Sequence, residues 1–216
     1  MADMWDTLSP PWQAALEMAW EAYCNGTVPI GAVVADARGN VVSRGRNRIL
    51  DTSAPHGQVF NNELAHAEIN ALLSLSLNRE ECNQAALYTT MEPCPLCMGA
   101  LYMSNVKAVH FAARDPWAGS INLLGTTPYL SRKPFKVFMP PDTMLENCLT
   151  ALHIEYELFN RGEEFLSHSF FDVFREVLPD AIEKGIGLHR SGELRKKQKE
   201  GLPAKPVFNW LTHQVQ

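Results

Sequence analysis

The most informative part of this sequence is residues 64–98, which begin LAHAEI and end MEPCPLCM. The first motif carries His66 and Glu68 at the predicted start of a helix, and the second carries Cys94 and Cys97 at a predicted strand-to-helix junction. One helix and one strand separate the two motifs, and this connection can bring both helix N-termini to one edge of a sheet. We therefore expect these four side chains to lie together in an α/β fold.

The residue types in the two motifs indicate a metal site, because zinc takes thiolate and imidazole ligands in tetrahedral geometry. Cys94 and Cys97 are three residues apart and share a helix face, near a helix N-terminus that favours thiolates. With His66 as third ligand, the fourth position stays open to water, which is typical of catalytic zinc sites. Three other residues are candidates for a fourth ligand, but none has a short ligand spacing to the others: Cys82, His110 and Cys148.

Glu68 adds a proton carrier to this metal site. It lies two residues from His66, so the two side chains can converge only at a helix end, where the backbone is not yet regular. Zinc lowers the pKa of bound water to about 7, and a neighbouring carboxylate can take that proton and return it to a substrate. His-x-Glu with Pro-Cys-x-x-Cys is the signature of zinc nucleobase deaminases, in which the glutamate is the acid/base and not a ligand.

Two functions of other classes are compatible with parts of this pattern. A Cys-x-x-Cys pair at a strand-to-helix junction is also typical of a thiol redox protein, which predicts a titratable Cys94–Cys97 disulfide and no stoichiometric metal. A zinc-stabilised binding module would instead hold the metal with four protein ligands and no catalytic water.

Composition places the chain among ordinary globular proteins, with 46% hydrophobic and 20% charged residues. No apolar run reaches the length of a membrane span, and the N-terminus has no basic region of a signal peptide, so we expect a cytoplasmic protein without membrane association. Five cysteines are an odd number and do not form a disulfide framework in such a chain. The net charge of −5 argues against a polyanionic partner without excluding one, because only local charge matters at a contact.

Hydrophobic periodicity predicts alternating helices and strands up to about residue 139, which indicates an α/β core. Ser9 can cap the first helix, and residues 115–131 are predicted to be irregular. The predicted helices are 9–25, 64–77 and 93–104, and the predicted strands are 28–35, 41–47, 85–90, 106–112 and 135–139, the last of which stops at Pro140 and Pro141.

Beyond residue 142 the pattern becomes helical, with one apolar face over 145–159 and a second over 166–177 that ends at Pro179. The basic cluster of Arg195–Lys197 and Lys199 is typical of a solvated face or tail, and its alternative is an RNA-contacting tail. We divide the chain into a zinc-dependent deaminase domain, residues 1–160, and a helical C-terminal extension with a polar tail, residues 161–216.

Five stretches in a specific order and spacing resemble the cytidine deaminase-like superfamily, over about residues 10–160. The similarity is greatest to the branch of guanine, cytosine and tRNA adenosine deaminases, and it implies a three-layer α/β/α fold with a central mixed sheet, and a homodimer. It also implies the roles given above for the zinc ligands and for Glu68. The stretches are Pro29–Val33, Gly45–Asn47, Leu64–Ile69, Leu87–Met98 and Phe111–Asp115.

The resemblance further implies that Asn47 and Asp115 bind substrate. Without it, Asn47 is equally typical of a turn at a strand end, and Asp115, which precedes a proline, is typical of a turn or cap. The expected function is hydrolytic deamination of a nucleobase, nucleoside or related amino-heterocycle with release of ammonia. The alternative substrate is the wobble adenosine of tRNA, for which nucleic-acid contacts would be needed.

Overall fold

A computed structural model describes residues 3–139 and 143–215. The strands are β1 (Gly31–Ala35), β2 (Val41–Arg46), β3 (Ala86–Thr89), β4 (Ala108–Phe111) and β5 (Lys136–Phe138). The helices are α1 (Met4–Thr7), α2 (Pro10–Cys24), α3 (Ala67–Leu73), α4 (Arg79–Gln84), α5 (Pro95–Met103), α6 (Thr143–Arg161), α7 (Ser169–Val177), α8 (Pro179–Ser191), α9 (Glu193–Lys199) and α10 (Ala204–Val215). Short 3-10 helices cover Ile121–Leu123 and Glu163–Ser167.

The five strands form one mixed sheet in the order β2-β1-β3-β4-β5. β1 is antiparallel to both β2 and β3, whereas β3, β4 and β5 run parallel. The start of β1 and the ends of β2, β3 and β4 therefore lie at the same edge of the sheet. This edge carries the loops that hold the sequence-predicted site residues.

Helices cover both faces of the sheet, which confirms the three-layer α/β/α fold. Two glycines let them approach closely: a Cβ atom on Gly31 would overlap the backbone of α2 at Ala15, and one on Gly45 would overlap the backbone of α3 at Ala67. Since a larger residue would push either helix away, these glycines account physically for two of the family-like stretches. The pair holds α2 and α3 against opposite sides of the β1/β2 hairpin.

The C-terminal helices pack onto this core and share its apolar cluster. Leu152 of α6, Leu194 of α9 and Phe208 of α10 belong to the same buried cluster as Leu16 of α2. The indole N–H of Trp20 donates to the Leu202 carbonyl at 2.7 Å. The division of the chain at residue 160 stays a prediction, but the helices beyond it are in contact with the α/β core.

The basic cluster near the C-terminus is a partly solvated face of α9, as predicted, except at Arg195. The guanidinium of Arg195 forms a bidentate pair with the buried Glu155 at 2.9 and 3.1 Å and lies over the Tyr23 ring at 4.3 Å. Local charge density predicts solvent exposure, but this arginine has a buried carboxylate partner that is forty residues away in sequence. Lys196 and Lys199 are exposed, and Lys197 is half-buried over the Trp210 ring.

One predicted helix boundary is confirmed and one differs from the structure. Pro179 ends the run before it, since α7 stops at Val177, and it also begins α8 at the first position, where its missing N–H costs nothing. The predicted helix 64–77 is shortened to α3, because the chain before Ala67 is extended and the Ser74 hydroxyl bonds the Asn70 carbonyl at the other end. Pro140 and Pro141, predicted to end β5, lie outside the described residues.

Candidate metal centre and active site

His66 and Cys94 are the residues immediately before two helices that begin at the same sheet edge. His66 is the N-cap of α3 and Cys94 the N-cap of α5, both with extended backbones. Pro95 follows as the first residue of α5 and fits there because this position needs no N–H donor. The predicted requirement that His66 and Glu68 meet at a helix end is therefore met: His66 precedes the regular helix and Glu68 lies in its first turn.

The structure brings together the three predicted ligands. Nδ1 of His66 lies 3.6 Å from Sγ of Cys94 and 3.4 Å from Sγ of Cys97. Tetrahedral zinc with ordinary Zn–N and Zn–S bonds would separate nitrogen and sulfur by about 3.6 Å. All three ligand atoms lie within 4.8 Å of one another. The donor set and its spacing thus fit zinc.

The pKa values of the two thiols in this cluster are shifted in opposite directions. Hydrogen bonds from Cys97 and His66 overcome the effect of burial and lower the pKa of Cys94 to about 4. The bond to Cys94 and burial raise the pKa of Cys97. The hydrogen bond with Cys94 also raises the pKa of His66, although burial opposes it. One thiolate is therefore available for a cation, and the second ligand thiol would lose its proton when a metal binds.

Glu68 is buried beside this cluster and is held in a fixed position. Its Oε1 accepts a hydrogen bond from Oγ1 of Thr89 at 2.9 Å, and its Oε2 accepts one from Sγ of Cys97 at 3.3 Å. Burial raises the pKa of this carboxyl, which brings it closer to the range in which a group can both accept and donate a proton. The geometry therefore suits an acid/base more than a metal ligand.

Within residues 3–139 and 143–215, no fourth protein ligand lies close to His66, Cys94 and Cys97. The residues considered for that position, which would have made a closed structural site, are outside the cluster: Cys82, His110 and Cys148. Three protein ligands with an adjacent carboxylate form the open type of zinc site, in which a position remains for water or substrate.

Asn47 is buried at the end of β2, next to the segment that leads into His66. The backbone N–H of Arg48 donates to the Ala65 carbonyl at 2.8 Å, so the two segments lie side by side. The Asn47 Oδ1 atom accepts hydrogen bonds from Oγ1 of Thr27 at 2.6 Å and from the N–H of Ile49 at 3.2 Å. These bonds orient the side-chain amide with its oxygen already used, which leaves the NH2 group as the donor for a ligand.

The long loop after Asn47 is anchored by buried charges. The carboxylate of Asp51 pairs with Arg46 at 2.6 Å and with Arg48 at 2.7 Å, and all three side chains are almost inaccessible to solvent. The N–H of Val59 donates to the Asn70 side chain at 2.8 Å. A buried charge of this kind needs its partners, so the loop is tied to the β2 end and to α3.

Asp115 lies in a turn directly after β4, as the alternative interpretation of this residue predicted. Its Oδ1 accepts hydrogen bonds from the N–H groups of Trp117 and Ala118, both at 3.0 Å. The backbone N–H of Asp115 in turn donates to Glu92 at 3.3 Å, two residues before Cys94. The turn is thus attached to the metal-binding segment, but a role for Asp115 in substrate binding stays a prediction.

Sequence reasoning missed the residues that orient the site. Thr89 holds Glu68, Thr27 holds Asn47, and the carboxylate of Glu92 accepts N–H bonds from Asp115 and Ile121 on either side of the turn. Strand alternation gave a usable signal only for Thr89, which follows Leu87 on the buried face of β3. Thr27 and Glu92 act through contacts that no local pattern reveals.

Comparison with known proteins supports this assignment of the site. The family model for the cytidine and deoxycytidylate deaminase zinc-binding region matches residues 9–113. The chain is 37% identical over 109 residues to the tRNA-specific adenosine deaminase of Haemophilus influenzae. These residues are 50% of this chain and 58% of the relative. It is 34% identical over 87 residues to the guanine deaminase of Bacillus subtilis, covering 39% of this chain and 50% of that relative. It therefore spans only half to three fifths of the length of these relatives.

A third relative matches over more of its length. The tRNA-specific adenosine deaminase of Aquifex aeolicus is 32% identical over 111 residues, which are 50% of this chain and 68% of that protein. Among solved structures, that of NE0047 in complex with 2,6-diaminopurine has a TM-score of 0.51 and 24% identity, covering 69% of this chain and 82% of the other, and it supports the fold. The residues that the zinc-binding family model matches include His66, Cys94 and Cys97, which form a possible metal site, and the chain belongs to the cytidine deaminase-like superfamily.

Proposed function

We propose that this protein is a zinc-dependent hydrolytic deaminase that acts on a nucleobase, a nucleoside or a related amino-heterocycle and releases ammonia. The observation that carries the proposal is the buried Glu68 carboxylate beside an open three-ligand site. A zinc ion held by His66, Cys94 and Cys97 supplies a Lewis acid that makes water a better nucleophile. The protein's own side chains carry out the proton transfers and bind the substrate.

Glu68 is the proton carrier in this reaction. Its carboxylate takes a proton from the attacking water and gives it to the ring nitrogen next to the reacting carbon. It then takes the proton of the new hydroxyl group on that carbon and gives it to the amine, so that the carbon–nitrogen bond breaks, ammonia leaves and a carbonyl forms. The raised pKa of the buried carboxyl supports both directions of transfer, and the bond from Thr89 keeps one oxygen fixed.

Asn47 and Asp115 bind the substrate in this proposal. The NH2 group of Asn47 donates to an acceptor on the heterocycle, since its oxygen already accepts from Thr27 and Ile49. Asp115 keeps its Oδ2 atom for a donor on the substrate, because Oδ1 closes the turn. Similarity to a guanine deaminase supports a small heterocycle as the ligand.

A tRNA adenosine is the second candidate substrate, because two of the relatives above are tRNA-specific adenosine deaminases. The net charge of −5 and the internal pairing of Arg195 argue against it, since RNA binding draws much of its affinity from free cationic groups. Filter binding of tRNA at several salt concentrations separates the two candidates: a steep loss of affinity with salt supports tRNA.

The thiol redox and binding-module alternatives are tested by metal analysis of the purified protein. One zinc per chain, with release on treatment with a chelator, excludes a redox pair as the main role of Cys94 and Cys97. Turnover excludes a purely structural zinc.

The decisive experiment is an ammonia-release screen over bases, nucleosides and amino-heterocycles with the zinc-loaded protein and with Glu68→Gln. The wild type is expected to release ammonia from at least one compound. Glu68→Gln should keep one zinc per chain and lose at least about 10³-fold in kcat, the usual magnitude for an acid/base group. Near-normal turnover by this variant would show that the proton-carrier role is wrong.

We further propose that the protein is a cytoplasmic homodimer. Large apolar side chains are exposed on α5 and on the loop before His66, among them Leu64, Leu96 and Met103. Burying such residues in an interface is favourable, so a second copy is a suitable partner. Light scattering should give twice the chain mass, and Met103→Lys should shift the measured mass towards that of the monomer.

None of the helices within the described residues combines the length and apolarity that crossing a membrane requires.

A further inference from the structure

A cavity of about 320 Å³ lies between the turn after β4 and the C-terminal helices, and the metal ligands do not line it. This volume is within the usual range for small-molecule pockets. The lining residues come from the loop before β1, the turn at Asp115, α6, the 3-10 helix after α6, and the start of α7: Val28, Asp115, Trp117, His153, Glu157, Arg161, Phe165, His168 and Phe170.

The cavity shares Asp115 with the candidate active site and is connected to it through the chain at Val28. Val28 follows Thr27, whose hydroxyl orients Asn47. Asp115, on another side, is bonded through its backbone to Glu92 in the metal-binding segment. Both residues predicted to bind substrate are therefore connected to walls of this cavity.

Aromatic rings form one side of the cavity. The indole of Trp117 is 51% exposed and meets the rings of His168 and Phe170 edge to face, at centroid distances of 5.7 and 6.0 Å. Half of this large ring is therefore free to contact another planar group. Flat heterocycles stack well on such side chains, because every base has a π-face.

The charges in the cavity are matched internally or negative. The guanidinium of Arg161, the only Lys or Arg among the lining residues, pairs with Glu157 at 2.7 Å and lies over the Phe165 ring. Glu157 also faces Nε2 of His153 at 3.4 Å. Nδ1 of His168 accepts a hydrogen bond from the N–H of Phe170 at 3.1 Å. A phosphate group would meet no free cation here, while Asp115 would repel it.

One lining residue has an unpaired ring nitrogen. The Nδ1 atom of His153 is buried and has no hydrogen-bond partner among the residues that the structure describes. Nε2 of the same ring lies 3.4 Å from Oε1 of Glu157. Buried polar atoms without partners are rare, and a polar group of a ligand that reaches this nitrogen would supply the missing bond.

We propose that this cavity is a second substrate pocket, built by the C-terminal helices, that takes an uncharged ring-bearing or hydroxyl-bearing part of the molecule being deaminated. The inference rests on the proposed deaminase function and narrows it. The protein acts on a nucleoside or a related uncharged compound that carries such a part beside the reacting ring, and it discriminates against the nucleotide and against phosphodiester-linked RNA. Trp117 supplies the stacking surface, and the Arg161–Glu157 pair removes the cation that a phosphate would need.

The test is a binding titration on zinc-loaded Glu68→Gln, in which binding is measured by tryptophan fluorescence and by calorimetry. The ligands are three sets: guanine, guanosine and GMP; adenine, adenosine and AMP; cytosine, cytidine and CMP. At least one nucleoside should bind about tenfold more tightly than its monophosphate, because the phosphate meets an unmatched carboxylate. Equal or tighter binding of the monophosphate in every set, or no binding at all, would overturn the proposal.

Two substitutions in the cavity lining and one control substitution outside it identify the pocket. Trp117→Ala should weaken binding of the preferred ligand by about fivefold or more, the effect of losing one stacking surface. Leu123→Ala, an exposed residue that follows the same turn and does not line the cavity, should leave binding unchanged. Glu157→Gln releases Arg161 and should reduce the discrimination against the monophosphate by about threefold or more. An unchanged ratio, in a variant that melts like the wild type, contradicts the charge argument.

The two proposals can fail separately. If the wild type releases no ammonia while Glu68→Gln binds ligands in a Trp117-dependent way, the pocket stands and the deaminase function does not. If the wild type turns over a substrate and Trp117→Ala binds that substrate with unchanged affinity, the function stands and the second pocket is wrong.

Discussion

The residues of the metal centre come from two short segments of the sequence, whereas those that line the cavity come from many distant segments. The ligands and Glu68 come from two short motifs, each at the N-terminus of one helix, and every one of them is within three residues of another. The cavity instead combines residues from position 28 to position 170, spread over loops, two helices and a 3-10 helix. The first region depends on local backbone geometry, and the second depends on how the C-terminal helices pack.

This difference predicts different responses to mutation. A change at the metal centre should remove chemistry while the protein stays folded, because few contacts that stabilise the fold are lost. A change in the contacts that dock the C-terminal helices should alter stability or substrate choice while zinc binding persists. The predictions below separate the two regions on these grounds, starting from the largest effect.

The largest effect is expected for Cys97→Ala, which removes a buried zinc ligand. The variant should contain less than a tenth of the wild-type zinc and lose at least about 10³-fold in ammonia release, since the metal makes the nucleophile. Metal analysis and the release assay check this. Cys82→Ala, at a buried cysteine outside the cluster, is the matched control and should retain both zinc and activity.

The docking of α9 is tested by Arg195→Met. This change leaves the carboxylate of Glu155 buried without its cation, and breaking a buried pair in this way costs roughly 3–5 kcal/mol in the free energy of unfolding. Urea unfolding measures the loss, and metal analysis of the folded protein should still give one zinc per chain. Lys199→Met, in the same helix but exposed, should change stability by less than about 0.5 kcal/mol. Equal stabilities of the two variants would show that Arg195 is solvated after all.

Gly45→Ala tests the close packing of α3 against β2. The added methyl group overlaps the backbone of α3 at Ala67 and Ala71, which should cost about 1–3 kcal/mol in unfolding free energy. Because Ala67 lies between His66 and Glu68, kcat should fall as well. Gly99→Ala in α5 is the control, since nothing lies near its Cβ position. This second change should stabilise the protein by about 0.5–1 kcal/mol.

The smallest effect is expected for Thr89→Val, which keeps the side-chain shape and removes the hydrogen bond to Glu68. Losing one such bond should lower kcat by about three- to tenfold, with zinc content unchanged. Steady-state kinetics measure the change. Thr212→Val removes a comparable hydroxyl in α10, whose bond to the Asn209 carbonyl is far from the site, and it should not alter kcat. A similar decrease in both variants would mean that Thr89 acts only through stability.

Sequence reasoning determined the parts of the molecule that depend on neighbouring residues. The Cys-x-x-Cys spacing and the His-x-Glu motif predicted which atoms meet, because helix N-termini have a fixed geometry and zinc a fixed set of ligands. The alternation of strands and helices predicted the α/β core, whereas its three layers were implied by the family resemblance. These features follow from backbone periodicity within a few residues.

The tertiary structure alone decided the parts that depend on distant contacts. The local sequence places Arg195 in a solvated basic cluster, and only the fold places Glu155 beside it. Trp117 gives no local signal of a pocket wall, because its neighbours His168 and Phe170 are about fifty residues away in sequence. Charge and hydrophobicity patterns describe a residue's own surroundings in the chain, whereas burial and pairing are set by the helices that pack against it.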